Sequence, residues 1–365
     1  MLPHEPLIRV EAPLIQAQLV ETASLNLVNF STLIATKAAR VRQSCGTDQV
    51  LEFGLRRAQG PDGGLMASRA AYLGGADATS NVWAGQHLGV PVRGTHAHSW
   101  VMVFKEELDA FERYADALPN NCVFLVDTYD TIEGVRHAIS VGIALREKGH
   151  RLQGVRLDSG DLAALSKKAR QLLDEAGFED AVVIASNDLD EHIIHDLKDS
   201  GGKIDVWGVG TRLVTAFEQP ALGGVYKLAA IEDENGQWQP RIKRSEQEIK
   251  TSNPGRQQVR RFFSPEGQPM ADVIYDIDLP PSGTGIVFTP FHRTGQETIT
   301  EATFTDLLQP IFLAGRCVYT FPDWEALRQL CRQQVESFVS RSEKPYIYGL
   351  EDNLLAQKKE LLATH

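Results

Sequence analysis

Four times between residues 122 and 211 a short β-branched run gives way to a helix-like or turn-like segment, and few folds accommodate that rhythm. The runs are CVFLVDTYD (122–130), LQGVRLDSGD (152–161), AVVIASNDLD (181–190) and KIDVWGVGT (203–211). Each ends in acidic, small or glycine residues. The stretches between them carry apolar residues at helical spacing and close on glycine. Strand–helix units at this short period predict a parallel sheet, and four in a row without a G-x-G-x-x-G fingerprint favour a closed α/β barrel over a dinucleotide-binding sheet. A barrel of this kind puts its chemistry at the carboxyl ends of its strands.

Those ends are where polar residues collect: Asp127 and Asp130 after the first run, Arg156, Asp158, Ser159 and Asp161 after the second, Ser186, Asn187 and Asp188 after the third, and Gly208, Gly210 and Thr211 after the fourth. Helix capping accounts for about half of such residues, and Asp161, Asp188 and Thr211 each stand just before a helical stretch. Capping does not account for Arg156, because an arginine in an apolar strand end needs a buried anionic partner or a ligand. The GVGT turn offers backbone N–H groups to a phosphate. Upstream, EFGLRRAQGPDGG (52–64) sets Phe53 beside Arg56 and Arg57, residues that serve either as core and surface charge or as an aromatic floor with an anion-binding guanidinium.

GTHAHSW (94–100) places His96 and His98 two apart. On an extended segment the two imidazoles point the same way, which allows a metal pair, a catalytic base or a structural histidine. No third ligand lies near in sequence. The net charge of −11 and pI near 5.4 argue against nucleic acid as a partner but leave room for a local phosphate pocket. The 365 residues contain no apolar run long enough to span a membrane, and the first residues carry no targeting signal. Four dispersed cysteines without a C-x-x-C fit reduced thiols in a cytoplasm.

In order and spacing, EPLIRVEAPLIQAQLVETASLNLVNFSTLIATKAAR, EFGLRRAQGPDGG, GTHAHSW, GVRLDSGDL, ASNDLDE, GVGT and ALGGVYKLAAI resemble the nicotinate phosphoribosyltransferases, from about Glu5 to about Arg261. The resemblance implies an irregular (β/α) barrel of the type II phosphoribosyltransferases with an α/β sandwich domain, here partial. It also implies a homodimer that joins nicotinate to phosphoribosyl pyrophosphate, with coupled ATP hydrolysis and Mg²⁺. Quinolinate- and nicotinamide-specific relatives, and a non-catalytic paralogue, are the alternatives.

By resemblance, His98 is the histidine transiently phosphorylated by ATP, and Thr95 and Arg156 bind nicotinate. Phe53 stacks on the ring, Asp77 orients it, and Arg56 lies near phosphate. Asp158 and Asp161 hold ribose hydroxyls or Mg²⁺, while Ser186, Asn187, Gly208, Gly210 and Thr211 bind the 5-phosphate. No metal ligand is assigned within the chain. Lys227 lines the ATP or pyrophosphate site or lies at a strand edge, and Lys243, Arg244, Lys250, Arg256, Arg260 and Arg261 form a basic loop that closes over phosphates or is ordinary surface charge.

The expected organisation is a sandwich remnant and long helix over residues 1–45, with residues 1–12 as a strand. A barrel over 46–222 follows, then a return to the sandwich through a DENG hairpin over 223–265, and a C-terminal region, 266–365, helical at its end. Members of the family open with a DLY-type segment that nothing before Glu5 supplies. The expectation is a chain that starts near the last sandwich strand and self-associates through the apolar edge left bare.

Overall fold

In the computed structural model the described residues are 2–246, 250–281, 285–300, 302–339 and 346–364. They divide into two compact units, one of residues 26–223 with 324–332, the other of residues 1–25, 224–323 and 333–365.

The first unit begins inside a long helix. Residues 2–12 form no strand, contrary to the expectation for the amino terminus; the chain runs through helix α1 (Leu14–Leu19) and, after a break at Val20, α2 (Glu21–Cys45). Six parallel strands follow: β1 (Gln49–Glu52), β2 (Ala78–Thr79), β3 (Val123–Leu125), β4 (Gly154–Leu157), β5 (Val182–Ala185) and β6 (Val206–Val209). Their order is β2-β1-β6-β5-β4-β3. Helices α3 (Gly60–Gly74), α4 (Val82–Leu88), α5 (His98–Val101), α6 (Glu107–Ala117), α7 (Thr131–Glu147), α8 (Leu162–Glu175), α9 (Glu191–Asp199) and α10 (Thr211–Val214) complete it. Local chemistry sets the helix ends. Asn81, Asp130, Asp161 and Asp190 accept first-turn N–H groups of α4, α7, α8 and α9.

The sheet is a curled half-barrel and does not close by strand pairing among the described residues. A parallel bridge from Thr79 to Val92 extends one edge. At the other edge the backbone N–H of Leu125 donates to His96 Nε2 at 3.2 Å, so an imidazole stands where a closed barrel would have a carbonyl. Between Val92 and His96 the chain forms no strand, so no ladder joins the two edges there. The main core lies between the strands and the helices and includes Ile34, Val41, Phe111, Phe124, Leu157, Leu173 and Trp207.

The second unit contains a small hairpin, β7 (Ala230–Glu232) with β8 (Trp238–Pro240), and a sheet of β9 (Gln257–Phe263), β10 (Pro269–Asp276), β11 (Gly285–Pro290), β12 (Glu297–Thr300) and β13 (Thr303–Asp306). The hairpin β14 (Phe312–Leu313) with β15 (Arg316–Cys317), helix α11 (Trp324–Val339), which crosses from the first unit into the second, strand β16 (Ile347–Glu351) and helix α12 (Asp352–Thr364) follow. The larger sheet has the order β12-β11-β16-β10-β9-β13, with β10 and β16 parallel.

Half of the expected basic loop is strand here. Arg256 pairs with Asp278, Arg260 with Asp306 at 2.8 Å, and Arg261 with Asp272 at 2.6 Å. Arg260 and Arg261 face acids across their own sheet and Arg256 meets one in the turn after β10, so all three are paired within the fold. Lys243, Arg244 and Lys250 are exposed, as is Lys227, whose Nζ donates to the Tyr226 carbonyl. Among the described residues no helix is long and apolar enough to cross a membrane.

Candidate active site

Alternation along the strands decides which side chains enter the hollow of the half-barrel. Val50, Phe124, Val155, Leu157, Val183, Trp207 and Val209 face the helices. Leu51, Ala78, Val123, Ile184 and Val206 form a separate cluster on the opposite face, with Phe53 and Val182 packed against it. Carried forward in the same phase, β1 brings Phe53 to the carboxyl end of the hollow, β4 brings Arg156 and Asp158, β5 brings Ser186, and β6 brings Gly208 and Gly210.

Arg156 stands at the centre. Its Nε donates to Ser186 Oγ at 2.8 Å, one terminal nitrogen to Thr95 Oγ1 at 3.0 Å and the other to Asp158 Oδ1 at 2.9 Å. Its guanidinium lies 5.5 Å from the centroid of the Phe53 ring. Three of the five N–H donors of a guanidinium are therefore used, and two are left for a ligand. Burial raises the Asp158 carboxyl, but the Ser186 hydrogen bond and the Arg156 charge outweigh it and hold the group below its usual range. Gly208 leaves room for the aromatic floor: a Cβ there would stand 2.8 Å from the Phe53 ring. Toward the amino ends of the strands the hollow continues as a cavity of about 830 Å³, lined by Leu51, Thr95, Val123, Ile184 and Val206.

The two histidines part company. The chain turns into α5 at His98, so the rings do not share a direction. His96 is 8% exposed among Phe111, Tyr114 and Phe124, and its Nε2 is occupied by the Leu125 N–H. Burial, reinforced by the Arg156 charge, pushes its pKa down to about 4. His96 is thus a structural group, and the metal pair is excluded because its Nε2 has no free lone pair. His98 is half-exposed; its Nδ1 lies 3.1 Å from Thr128 Oγ1, and its Nε2 lies 3.9 Å from both Asp127 Oδ1 and Asp158 Oδ2. With the proton on Nδ1, the Nε2 lone pair faces the hollow beside two carboxylates.

Asp127 belongs to this group although its sequence position singled it out only as a run end. It is almost wholly buried. Oδ2 accepts the Asp158 N–H at 2.9 Å and the Ser159 hydroxyl at 2.6 Å, whereas Oδ1 has no hydrogen-bond partner among the described residues. A second group that sequence did not reveal surrounds the end of β1, where buried Glu52 meets Ser68, Thr79 and Asn81. A third is ionic: buried Lys37 lies 2.6 Å from Glu191 and 2.5 Å from Glu218, and Arg212 lies 2.5 Å from Asp190. None of the three has a local signal, because the partners are distant in sequence.

Other expected residues fall outside the constellation. Asp161 is an exposed cap whose Oδ1 accepts the Ala164 N–H at 3.0 Å. Asp77 accepts the Val50 N–H at the amino end of β1 and is clasped by Arg42 and Arg328; burial raises its carboxyl, but these bonds together hold it low. It does not face the ring site. Arg56 lies exposed in the 3-10 turn Leu55–Arg57 with no ion pair among the described residues. Asn187, at φ +97°, follows Ser186, and Thr211 opens α10 immediately after Gly210; both border the site by backbone. No cluster of three or more metal-ligating side chains occurs among the described residues.

The model of the "Nicotinate phosphoribosyltransferase (NAPRTase) family" matches residues 49–266, and that of the "Nicotinate phosphoribosyltransferase C-terminal domain" matches residues 256–351. The chain is 47% identical over 359 residues to the nicotinate phosphoribosyltransferase of Bacillus subtilis (strain 168), covering 95% of this chain and 72% of that one. It is 35% identical over 423 residues to that of Homo sapiens, covering 99% and 78%. The crystal structure of human nicotinic acid phosphoribosyltransferase superposes with a TM-score of 0.81 at 30% identity, over 96% of this chain and 78% of that chain.

Proposed function

The chain belongs to the nicotinate phosphoribosyltransferase family, an enzyme family of NAD salvage, and from that premise we propose how its half-barrel performs the transfer. The observation that carries the reading is Arg156, fixed by Thr95, Ser186 and Asp158 over the Phe53 ring with two donors unspent. A planar anion stacked on Phe53 meets those donors with its carboxylate.

The ring nitrogen then attacks C1 of phosphoribosyl pyrophosphate. The C1–O bond breaks, pyrophosphate leaves with the electron pair, and the positive charge ends on the pyridinium of nicotinate mononucleotide. Little proton transfer is needed, so positioning and charge stabilisation carry the rate. In this reading Asp158 takes the ribose hydroxyls, and the backbone at Asn187, Gly210 and Thr211 takes the 5-phosphate. Asp161, Asp77 and Arg56 have no role in this arrangement.

Mg²⁺ fits the donor set. The orphaned Asp127 Oδ1 and Asp158 Oδ2 are hard oxygen ligands on one side of the hollow, and this ion commonly takes one or two carboxylates plus substrate phosphates. When bound it neutralises pyrophosphate charge. ATP coupling rests on His98: its Nε2 takes the γ-phosphoryl group, ADP departs, and the phosphohistidine adds charge beside the pyrophosphate site. The homodimer rests on the family resemblance, and the cytoplasmic location on the four free cysteines, which agree with a reducing compartment.

Competition binding tests the ring site. Nicotinate should be preferred over nicotinamide by ~2 to 4 kcal/mol, the scale of a charge-assisted pair left unmade, and Arg156→Ala should abolish the preference. Equal affinity for acid and amide refutes it. Incubation with γ-labelled ATP should give an acid-labile label that His98→Ala abolishes and His96→Gln retains; the opposite pattern reverses the assignment.

A further inference from the structure

On β1 the side chain before the aromatic floor points away from the hollow, into the packing against α3 and α4. It is Glu52, 1% exposed. Its Oε1 accepts the Gly54 N–H, and its Oε2 accepts the hydroxyls of Ser68 at 2.8 Å and Thr79 at 2.5 Å. Those hydroxyls are held in turn: Asn81 Nδ2 donates to Ser68 Oγ at 3.2 Å, and the Asn81 N–H donates to Thr79 Oγ1 at 3.0 Å. Asn81 Oδ1 meanwhile caps α4.

Among the described residues no cation is a hydrogen-bond partner of this carboxylate. Burying an anion on neutral donors alone is an expensive way to join a strand to two helices, which apolar side chains would do at less cost. A buried network in which every member is satisfied does, however, fix a single geometry. What this one fixes is the Gly54 N–H, in the residue directly after Phe53. Gly54 is confined from the other side as well, since a Cβ there would stand 2.2 Å from Val214 of α10. The Phe53–Gly54 turn is thus clamped between a carboxylate and a helix.

We infer that Glu52 is a positioning residue for the planar ring substrate: without touching the ligand, it holds the Phe53 ring level beneath Arg156. This rests on the placing of nicotinate over Phe53. The side chains of the network reach the site through the Gly54 N–H, the backbone of Thr79 pairs separately with the 91–93 segment, and among the described residues none of the four side chains is hydrogen-bonded to Ser186, Asp158 or Thr211, so its loss weakens the ring subsite and spares the phosphoribosyl pyrophosphate subsite.

The test is calorimetric binding of nicotinate and of phosphoribosyl pyrophosphate to the full chain, well below each variant's melting temperature. Glu52→Gln and Thr79→Val should weaken nicotinate about tenfold, the effect of one lost buried hydrogen bond, and change the pyrophosphate less than about twofold. Thr79→Ser, which keeps the hydroxyl, should retain the wild-type nicotinate affinity. If Glu52→Gln does not fold, the two Thr79 variants decide. The inference is overturned if nicotinate affinity is unchanged in the folded variants, if both ligands weaken alike, or if Thr79→Ser behaves as Thr79→Val. Phe53→Leu is the reference: wild-type nicotinate affinity in that variant overturns the ring placement itself.

Discussion

His96 gives this fold a pH dependence that can be worked from its surroundings. The ring is buried among three aromatic side chains and accepts the Leu125 N–H, so the folded state keeps it neutral, with a pKa near 4 against an ordinary 6.5. Its folded pKa is depressed, so between those values the unfolded chain binds more protons than the folded one. The stability that the neutral ring supports is present above pH 6.5 and is lost as the pH falls toward 4. The full difference is roughly 3 kcal/mol, of which about 2 kcal/mol disappears between pH 7 and pH 5. Carboxylates titrate in the same range, so the isolating comparison is with His96→Gln, whose amide oxygen accepts the same N–H but does not titrate. Urea unfolding of both proteins at pH 7 and pH 5 measures the effect. The wild type should lose about 2 kcal/mol more than the variant over that interval. A gap between the two proteins that stays constant within a few tenths of a kcal/mol refutes the neutral, buried His96.

Three further substitutions probe the same unit. Gly208→Ala puts a Cβ 2.8 Å from the Phe53 ring; tilting of the floor should raise the nicotinate KM about tenfold, and an unchanged KM counts against the stacked geometry. Asp77→Asn should lower the melting temperature, by loss of the anion between Arg42 and Arg328, and leave the nicotinate KM alone; a raised KM would restore its ring-orienting role. Lys37→Met strands Glu191 in the core and should cost about 3 kcal/mol in chemical denaturation, with much of that recovered in the double variant Lys37→Met/Glu191→Gln.

The residues that were legible in the sequence share one property: their placement follows from a local period. Arg156, Asp158, Ser186, Gly208 and Phe53 all lie in the inward phase of a strand or just past its end, so a run of alternating residues suffices to send them to one mouth of the hollow. Capping is equally local, which is why Asp161 was readable as a cap as well as a site residue, and the structure shows it capping α8.

What the sequence by itself determined, then, was the parallel α/β sheet and the gathering of Arg156, Asp158 and Ser186 at the carboxyl ends of its strands, whereas it pointed to a closed barrel and the folded chain forms only half of one. Tertiary structure alone decided the rest, because a side chain's partner depends on sheet order and helix packing, which no local period encodes. His96 and His98 look equivalent in GTHAHSW until Leu125, 29 residues away, claims one of them. Asp77 reads, by resemblance, as a residue that orients the ring until Arg328, 251 residues away, reaches it. Arg256, just before β9, and Arg260 and Arg261 within it read as a basic loop until the neighbouring strands and the turn after β10 set an acid opposite each. A charge carries the same letter whether solvent, substrate or a buried counter-ion will face it, and only the folded chain distinguishes the three.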